Sequence, residues 1–190
     1  TELRRVHEAS LEILEEVGLL VRSQKARRRF AEHGAQVDEA TERVRLPAPI
    51  VEKYRAMVPP TITLRGRDPA RDVTFPRKLP VIATASSAPD IVDPVTGVTR
   101  RATSHDIARI GHVVNELDGF DVCSLSGLAY DAPEGHFNLS RFYPALKNCL
   151  KPVRTSVLNP EEAQKVLRLG ELIAGSPEAF WERPFINFGY

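Results

Sequence analysis

An aromatic side chain followed directly by a carboxylate, Tyr130–Asp131, is the pair in this chain best suited to binding a ligand. An aromatic face attracts a cation through the ring quadrupole, and a carboxylate adds an opposite charge. The pair therefore predicts a site for a positively charged ligand, one that needs no hydrogen-bond donor of its own. Asp131 has a structural alternative, since it can instead cap the loop before Pro133.

Further polar residues follow short apolar runs, where a parallel sheet would place them along one edge. Active sites of barrel enzymes lie at the carboxyl ends of the strands, so these positions are candidates for contact with substrate or cofactor. Structural alternatives stay open here too, because Asp90 suits a following hairpin and small serines suit places where backbones crowd. The candidates are Ser86, Ser87, Asp90, Asn187 and Tyr190.

Motifs of high specificity are absent from the sequence. It contains no CxxC pair, no HExxH, no glycine-rich phosphate loop and no GxSxG. The five histidines are scattered, whereas metal sites need clustered ligands, so we predict no metal site and assign no catalytic residue. Cys123 and Cys149 lie in or beside apolar runs and are expected to be buried, reduced thiols.

Composition and charge bear on the class of partner. Lys and Arg total 26 against 25 Asp and Glu, a net charge of +1, so no global field favours nucleic acid. The densest basic run, Arg27-Arg28-Arg29, is interpreted as the solvated face of a helix. No apolar stretch approaches the roughly 20 residues of a membrane span, and the amino terminus predicts an amphipathic helix rather than a signal peptide. We expect a cytoplasmic protein without nucleic-acid or membrane partners.

The elements that would position the candidate residues repeat a single unit from about residue 80 onward. A short apolar run, a polar turn and an amphipathic helix follow one another, which predicts parallel βα units. Four such units are the amino-terminal half of an eight-stranded (β/α)8 TIM barrel, which needs about 250 residues. The fold class predicted is therefore α/β, with residues 80–190 as an incomplete barrel. The four predicted strands lie within residues 81–84, 120–125, 152–157 and 185–188.

Residues 1–79 differ in pattern and predict a small α/β prelude that packs on the barrel. Leu3, Val6 and Ile13 share one face of a first helix, and Gly18 suits its end. Ser23 is placed to cap a second helix. The prelude contains no group to which we assign chemistry.

The chain resembles the trimethylamine methyltransferase family over essentially its whole length and in order. No single segment is decisive, but their succession is fairly specific. The segments are HEASLEILEEVG (7–18), EHGAQVD (32–38), TLRGRDPARDV (63–73), DIVDPVTGVTRRAT (90–103), LKPVRTSVLNPEEAQ (150–164) and ERPFINF (182–188).

The resemblance implies a corrinoid-dependent methyltransferase of the kind used in methanogenesis. Such enzymes are βα barrels that move a methyl group from a tertiary or quaternary methylamine, trimethylamine or a betaine such as glycine betaine, to a corrinoid. The corrinoid is carried by a separate protein, so none is expected to bind this chain tightly. Substrate contact is then expected at Tyr130, Asp131, Asp90, Asn187 and Tyr190.

Contact with the corrinoid is expected in the loop after the first strand. The family is often glycine-rich there, and this sequence has Ser86 and Ser87. Family members also carry the rest of the barrel, and in the trimethylamine branch the pyrrolysine lies in that later part. The chain alone therefore does not indicate its branch, and we expect it to be inactive in isolation.

Two other interpretations stay open. A half barrel could persist as a non-enzymatic binding or scaffolding module, or a different barrel enzyme could use this scaffold, because fold does not fix function. If the protein ends at Tyr190, open strand edges and an exposed inner face predict a homo-oligomer.

Overall fold

A computed structural model describes residues 1–85 and 87–189 of the chain as a mixed α/β protein. It divides into two compact units, Thr1–Pro60 and Thr61–Tyr190. The sequence predicts the boundary between the two regions after residue 79 instead. Residues 61–79 group with the second unit because Asp68 N–H donates to the Leu150 carbonyl at 3.2 Å and Asp72 pairs with Arg183 at 2.6 Å. Packing of a prelude on a barrel stays a prediction.

The first unit combines three helices with a small antiparallel sheet of strand order β1-β3-β2, counted over residues that are all described. Val44 on the central strand faces Leu19 on one side and Val37 on the other. The elements are α1 (Glu2–Glu12), a π-helical turn (Ile13–Val17), β1 (Leu19–Leu20), α2 (Gln24–Glu32), β2 (Gln36–Asp38), β3 (Arg43–Arg45) and α3 (Ala48–Ala56).

Local signals in this unit are mostly confirmed. Ser23 caps α2 by accepting a hydrogen bond from Ala26 N–H at 3.3 Å. Arg27, however, is not part of a solvated face. Its side chain is buried and donates to Glu39 at 2.8 Å and to Glu42 at 3.1 Å, so the interpretation of the whole basic run as solvated was wrong. A buried guanidinium needs hydrogen-bond partners, and here the two carboxylates also offset its charge.

The second unit contains two antiparallel hairpins, β4–β5 and β6–β7, and a parallel sheet with helices between its strands. The elements are β4 (Ile62–Leu64), a 3-10 turn (Pro69–Arg71), β5 (Val73–Phe75), β6 (Asp90–Val92), β7 (Thr99–Arg101), α4 (Ser104–Glu116), β8 (Cys123–Ser124), α5 (Leu139–Asn148), β9 (Val153–Ser156), α6 (Pro160–Ala174), α7 (Pro177–Glu182) and β10 (Ile186–Gly189).

The parallel sheet follows the order of the chain. Val153 on β9 pairs in parallel with Cys123 on β8 and with Ile186 on β10. The first predicted strand adds a parallel bridge from Ala83 to Val122. Four segments therefore run side by side in sequential order, as the βα repeat predicted.

The first of these segments is shorter than predicted. Residues 81–84 form only the isolated bridge at Ala83 rather than a continuous strand. The Asp121 carboxylate accepts the Ile82 N–H at 2.8 Å, which withdraws that donor from the ladder. Likewise, only Cys123–Ser124 of the predicted run 120–125 forms β8.

Helices pack on one face of the parallel sheet and form the hydrophobic core with it. Phe142 of α5, fully buried, meets Phe188 of β10 edge to face at 5.8 Å. Thr103 caps α4 through a capping box with Asp106. The core combines Ile107, Val114, Cys123, Leu125, Phe142, Leu146, Cys149, Val153, Val166, Phe180, Phe185 and Ile186.

Candidate functional site

The carboxyl ends of the parallel segments meet at one edge of the second unit, where βα proteins place their sites. Ala83 and Ala88 of the first segment bridge in parallel to Val122 and Gly127. Strands β8, β9 and β10 end beside them in register. The candidate site is this edge together with the sheet face opposite the helices.

Three polar side chains lie in one lateral row on that face. Arg154 in the middle of β9 is the register partner of both Ser124 on β8 and Asn187 on β10. Register partners in a parallel sheet point to the same side, and side chains alternate along a strand. On β9, Val153 and Thr155 are buried while Arg154 is exposed, so the row faces away from the helices. Within the row Arg154 is exposed, Asn187 is partly buried and Ser124 is buried, at 7% exposure. We refer to Ser124, Arg154 and Asn187 as the polar row.

The polar row presents hydrogen-bond donors. Within residues 1–85 and 87–189, the Arg154 guanidinium has no ion pair and the Ser124 hydroxyl has no hydrogen bond. Asn187 donates one amide hydrogen from Nδ2 to the Val153 carbonyl at 3.3 Å, which leaves its second hydrogen for another acceptor. Sequence reasoning found Asn187 but missed Arg154. The available signal was a charge in the middle of a predicted strand, between Val153 and Thr155.

Tyr130 and Asp90 are brought together, but around a side chain of the protein itself. The Arg101 guanidinium lies 4.7 Å from the centre of the Tyr130 ring and 3.2 Å from an Asp90 oxygen. Asp90 and Arg101 are register partners across the β6–β7 hairpin, so the hairpin role considered for Asp90 is also present. The Tyr130 ring and the Asp90 carboxylate together bind a cation, and in this structure that cation is the Arg101 guanidinium.

Asp131 faces a different partner. Its carboxylate accepts hydrogen bonds from Ser104 N–H at 2.7 Å and from the Ser104 hydroxyl at 2.6 Å, at the start of α4. Burial by itself would raise the pKa of Asp131, but the bonds from Ser104 outweigh it and hold the pKa below its usual value. The carboxylate is therefore ionised and engaged in capping α4 rather than a predicted loop before Pro133.

Ser87 lies exposed in the loop after the first segment, with φ of 62°. Its N–H donates to the Leu125 carbonyl at 3.1 Å, and its hydroxyl lies 3.4 Å from an Arg141 nitrogen. Arg141 is 3% exposed and also donates to the Leu125 and Gly127 carbonyls, so it ties two strand ends together. Ser86 and Tyr190, also predicted as site residues, lie outside the described residues.

The described part of the chain offers neither a group of metal ligands nor a membrane span. Leaving aside Ser86 and Tyr190, no three His, Cys, Asp or Glu side chains are grouped to hold a metal ion. In the same part of the chain no helix has the length and apolar character needed to cross a membrane. Cys123 and Cys149 are free and buried, as predicted.

The fold is that of a βα-repeat protein, and the candidate site is polar and lies at the strand ends. A family model described as trimethylamine methyltransferase (MTTB) matches residues 1–188, and the chain belongs to that family. The resemblance seen in the sequence is thereby confirmed.

Two relatives align with almost the whole chain. It is 30% identical to trimethylamine methyltransferase MttB of Desulfitobacterium hafniense (strain DSM 10664 / DCB-2) over 98% of this chain and 38% of the relative. It is 24% identical to glycine betaine methyltransferase of Desulfitobacterium hafniense (strain Y51) over 97% of this chain and 38% of the relative.

A shorter stretch is more similar to an archaeal relative. Over 67 residues the chain is 40% identical to trimethylamine methyltransferase MttB of Methanosarcina thermophila, which covers 35% of this chain and 14% of that protein. The chain therefore spans a little over a third of the length of the two relatives that align with almost all of it, 38% in each case.

Proposed function

We propose that the complete protein is a corrinoid-dependent methyltransferase that takes a methyl group from a tertiary or quaternary methylamine. The observation that carries this proposal is the sequential parallel order of four segments whose ends meet at a polar edge, in a chain of this family. The parallel order also supports identifying residues 80–190 with the first half of a (β/α)8 barrel.

The acceptor is a corrinoid carried by a partner protein, as the resemblance implies. When presented by its carrier in reduced form, the corrinoid supplies the nucleophile that accepts the methyl group. Ser87 is exposed at the strand-end edge, which fits contact with an approaching partner. Its N–H is already bonded to Leu125, so the part of Ser87 available for such contact is its exposed side chain.

The chain's own residues would hold and orient the methylamine. Transfer breaks one carbon–nitrogen bond, and the electron pair stays with the amine that leaves. No proton has to be abstracted from a quaternary amine, which suits an edge where no catalytic acid or base has been assigned. Tyr130 and Asp90 already hold the Arg101 guanidinium, so an organic cation would use them only by displacing Arg101.

A methyl-transfer assay on the complete protein with a reduced corrinoid protein tests the proposal. We expect demethylation of glycine betaine or trimethylamine, followed as methylation of the corrinoid. Tyr130→Ala should raise the dissociation constant of the methylamine about 2- to 30-fold, since a cation–π contact contributes roughly 0.5–2 kcal/mol.

Tyr143→Ala is the matched control, because Tyr143 on α5 is 53% exposed and Tyr130 is 52% exposed. The control should leave affinity unchanged. Absence of demethylation with every methylamine tried would overturn the proposed function and favour the binding or scaffolding module. Equal affinities in wild type and Tyr130→Ala would remove Tyr130 from the site.

A further inference from the structure

We infer that Arg141 is a positioning residue for the proposed methyl transfer, because it fixes the loops after the first two parallel segments relative to each other. This inference rests on the proposed function and adds a residue that acts through the loops rather than by touching a reactant. Arg141 lies on α5, and it is only 3% exposed. Its guanidinium nevertheless reaches atoms of both loops.

The guanidinium contacts the two loops where they meet. Nε donates to the Gly127 carbonyl at 2.9 Å and Nη2 donates to the Leu125 carbonyl at 3.0 Å, both just after β8. Nη2 also lies 3.4 Å from the Ser87 hydroxyl, in the loop after the first segment. The Leu125 carbonyl accepts the Ser87 N–H as well, at 3.1 Å, so both loops and Arg141 share one acceptor.

The partners of this buried cation are neutral groups. Besides the carbonyls and the hydroxyl, the Phe137 ring has its centre 5.4 Å from the guanidinium carbon. Burial lowers the pKa of Arg141, whereas the buried Arg27 has two carboxylates that offset its charge. An apolar side chain would fill the same space without this cost of desolvation. A planar set of several donors, by contrast, can hold oxygen atoms of separate segments in one geometry.

The backbone at Ser87 shows that the first loop is held in a conformation it would not keep alone. Its φ of 62° lies in the left-handed region, which residues other than glycine rarely adopt. Such conformations persist where surrounding contacts impose them, and they cluster at functional sites. Next to the contacts of Ser87 itself, the Ala88 N–H donates to the Ser126 carbonyl at 2.7 Å. Both loops therefore form one connected structure around Arg141.

The two loops carry candidates for contact with different reactants. Ser87 is the candidate for contact with the corrinoid carrier, and Tyr130, three residues after Gly127, is a candidate for contact with the methylamine. Transfer between two bound reactants depends steeply on their mutual placement, and a small displacement can lower the rate strongly. Loss of Arg141 should therefore lower the rate of transfer between bound reactants more than the affinity for either one.

Steady-state kinetics of the complete protein, with the methylamine and the reduced corrinoid protein varied in turn, test the inference. Arg141→Lys keeps the charge without the planar fork, and Arg141→Met keeps an unbranched side chain without the charge. We expect kcat per folded molecule to fall about 10- to 100-fold, less in Arg141→Lys than in Arg141→Met. Each KM should stay within about threefold of its wild-type value, because the change affects the transition state and not binding.

The matched control is Val166→Ala, which truncates a fully buried core side chain on a different helix, α6. It should destabilise the second unit and yet keep the wild-type kcat per folded molecule. Hydrogen exchange without reactants gives a readout that does not depend on activity. Arg141→Lys should speed exchange in peptides covering 87–90 and 125–128, and Val166→Ala should not do so selectively.

The outcomes separate this inference from the proposed function. If wild type transfers no methyl group from any methylamine, the proposed function fails and the inference fails with it. If wild type is active and Arg141→Lys resembles Val166→Ala in kcat and in loop exchange, the inference alone is wrong. A raised KM with an unchanged kcat would overturn it too, as would loss of folding in both Arg141 variants, because the role would then be one of binding or of folding.

Discussion

The two units of the chain differ sharply in how much they bury. Over residues 1–60, all of them described, Arg27 and Val44 are the two buried residues. The second unit instead holds a continuous core shared by a parallel sheet and the helices α4 to α7. Both units have well-formed amphipathic helices. An apolar stripe therefore identifies which face of a helix prefers burial. It does not establish that another element of the protein packs on that face.

The amino-terminal helix illustrates the point. Leu3 is 84% exposed and Val6 is 65% exposed, although both belong to the predicted apolar face. An open cavity of about 520 Å³ in the first unit is lined by apolar side chains that include Phe30, Ile50 and Tyr54. The stability of the second unit should therefore respond to mutation far more strongly than that of the first.

The largest expected effect is that of truncating the centre of the core. Phe142→Ala should destabilise the second unit by about 3–5 kcal/mol, because it removes a fully buried aromatic side chain and leaves a cavity. Urea unfolding followed by the fluorescence of Trp181, the single tryptophan, reports on this unit.

The paired control is Val6→Ala in the first unit, which should change stability by no more than about 0.5 kcal/mol. Hydrogen exchange measures the free energy of opening in both units. If Val6→Ala lowered it in the first unit as much as Phe142→Ala lowers it in the second, the two units would not differ in their sensitivity to mutation.

A smaller effect is expected where a charge is buried at the start of α4. Bonds from the Arg100 guanidinium outweigh burial and hold the pKa of Asp106 well below its usual range. A depressed pKa stabilises the folded state above about pH 4, and this contribution is lost as the pH falls further. Asp106→Asn should cost about 2 kcal/mol at pH 7 and make the acid unfolding curve shallower. An unchanged acid curve would show that this ion pair does not stabilise the unit.

The packing of the second unit can be tested more finely with two helix glycines. A methyl group at Gly170 of α6 would lie 2.5 Å from Phe180 Cε2 and 2.9 Å from Ile186 Cδ1, whereas at Gly111 of α4 the nearest atom lies at 3.5 Å. Gly170→Ala should therefore destabilise by about 1–2 kcal/mol through overpacking.

Gly111→Ala should instead stabilise by up to about 1 kcal/mol, because alanine is the better helix former. Thermal unfolding of both variants gives the sign of each change. Stabilisation by Gly170→Ala would mean that α6 is packed more loosely against α7 and β10 than these distances indicate.

Much of the second unit followed from local signals in the sequence. Asn159 caps α6, Gly175 ends it with φ of 93°, and Thr103 forms the capping box of α4, each a residue type that favours that position. These signals are short-range, so neighbouring residues suffice to produce them. The parallel order of the strands was likewise predicted, because short βα connections allow little else.

The candidate site was less predictable because side-chain partners depend on tertiary packing. Tyr130 and Asp131 are adjacent in sequence, yet Tyr130 meets Arg101 while Asp131 meets Ser104. Arg154 became a candidate only when the register placed it between Ser124 and Asn187. Strand alternation could have indicated its face, but its lateral neighbours come from segments about 30 residues away on either side.

Hydrogen exchange of the complete protein, with and without saturating glycine betaine, tests the central claim most directly. We expect slower exchange in peptides covering 123–127, 153–158 and 185–189 and no change within residues 1–60, because a ligand bound at the strand-end edge would stabilise the strand ends. Protection confined to residues 1–60, or binding detected by calorimetry without protection in the parallel sheet, would contradict it.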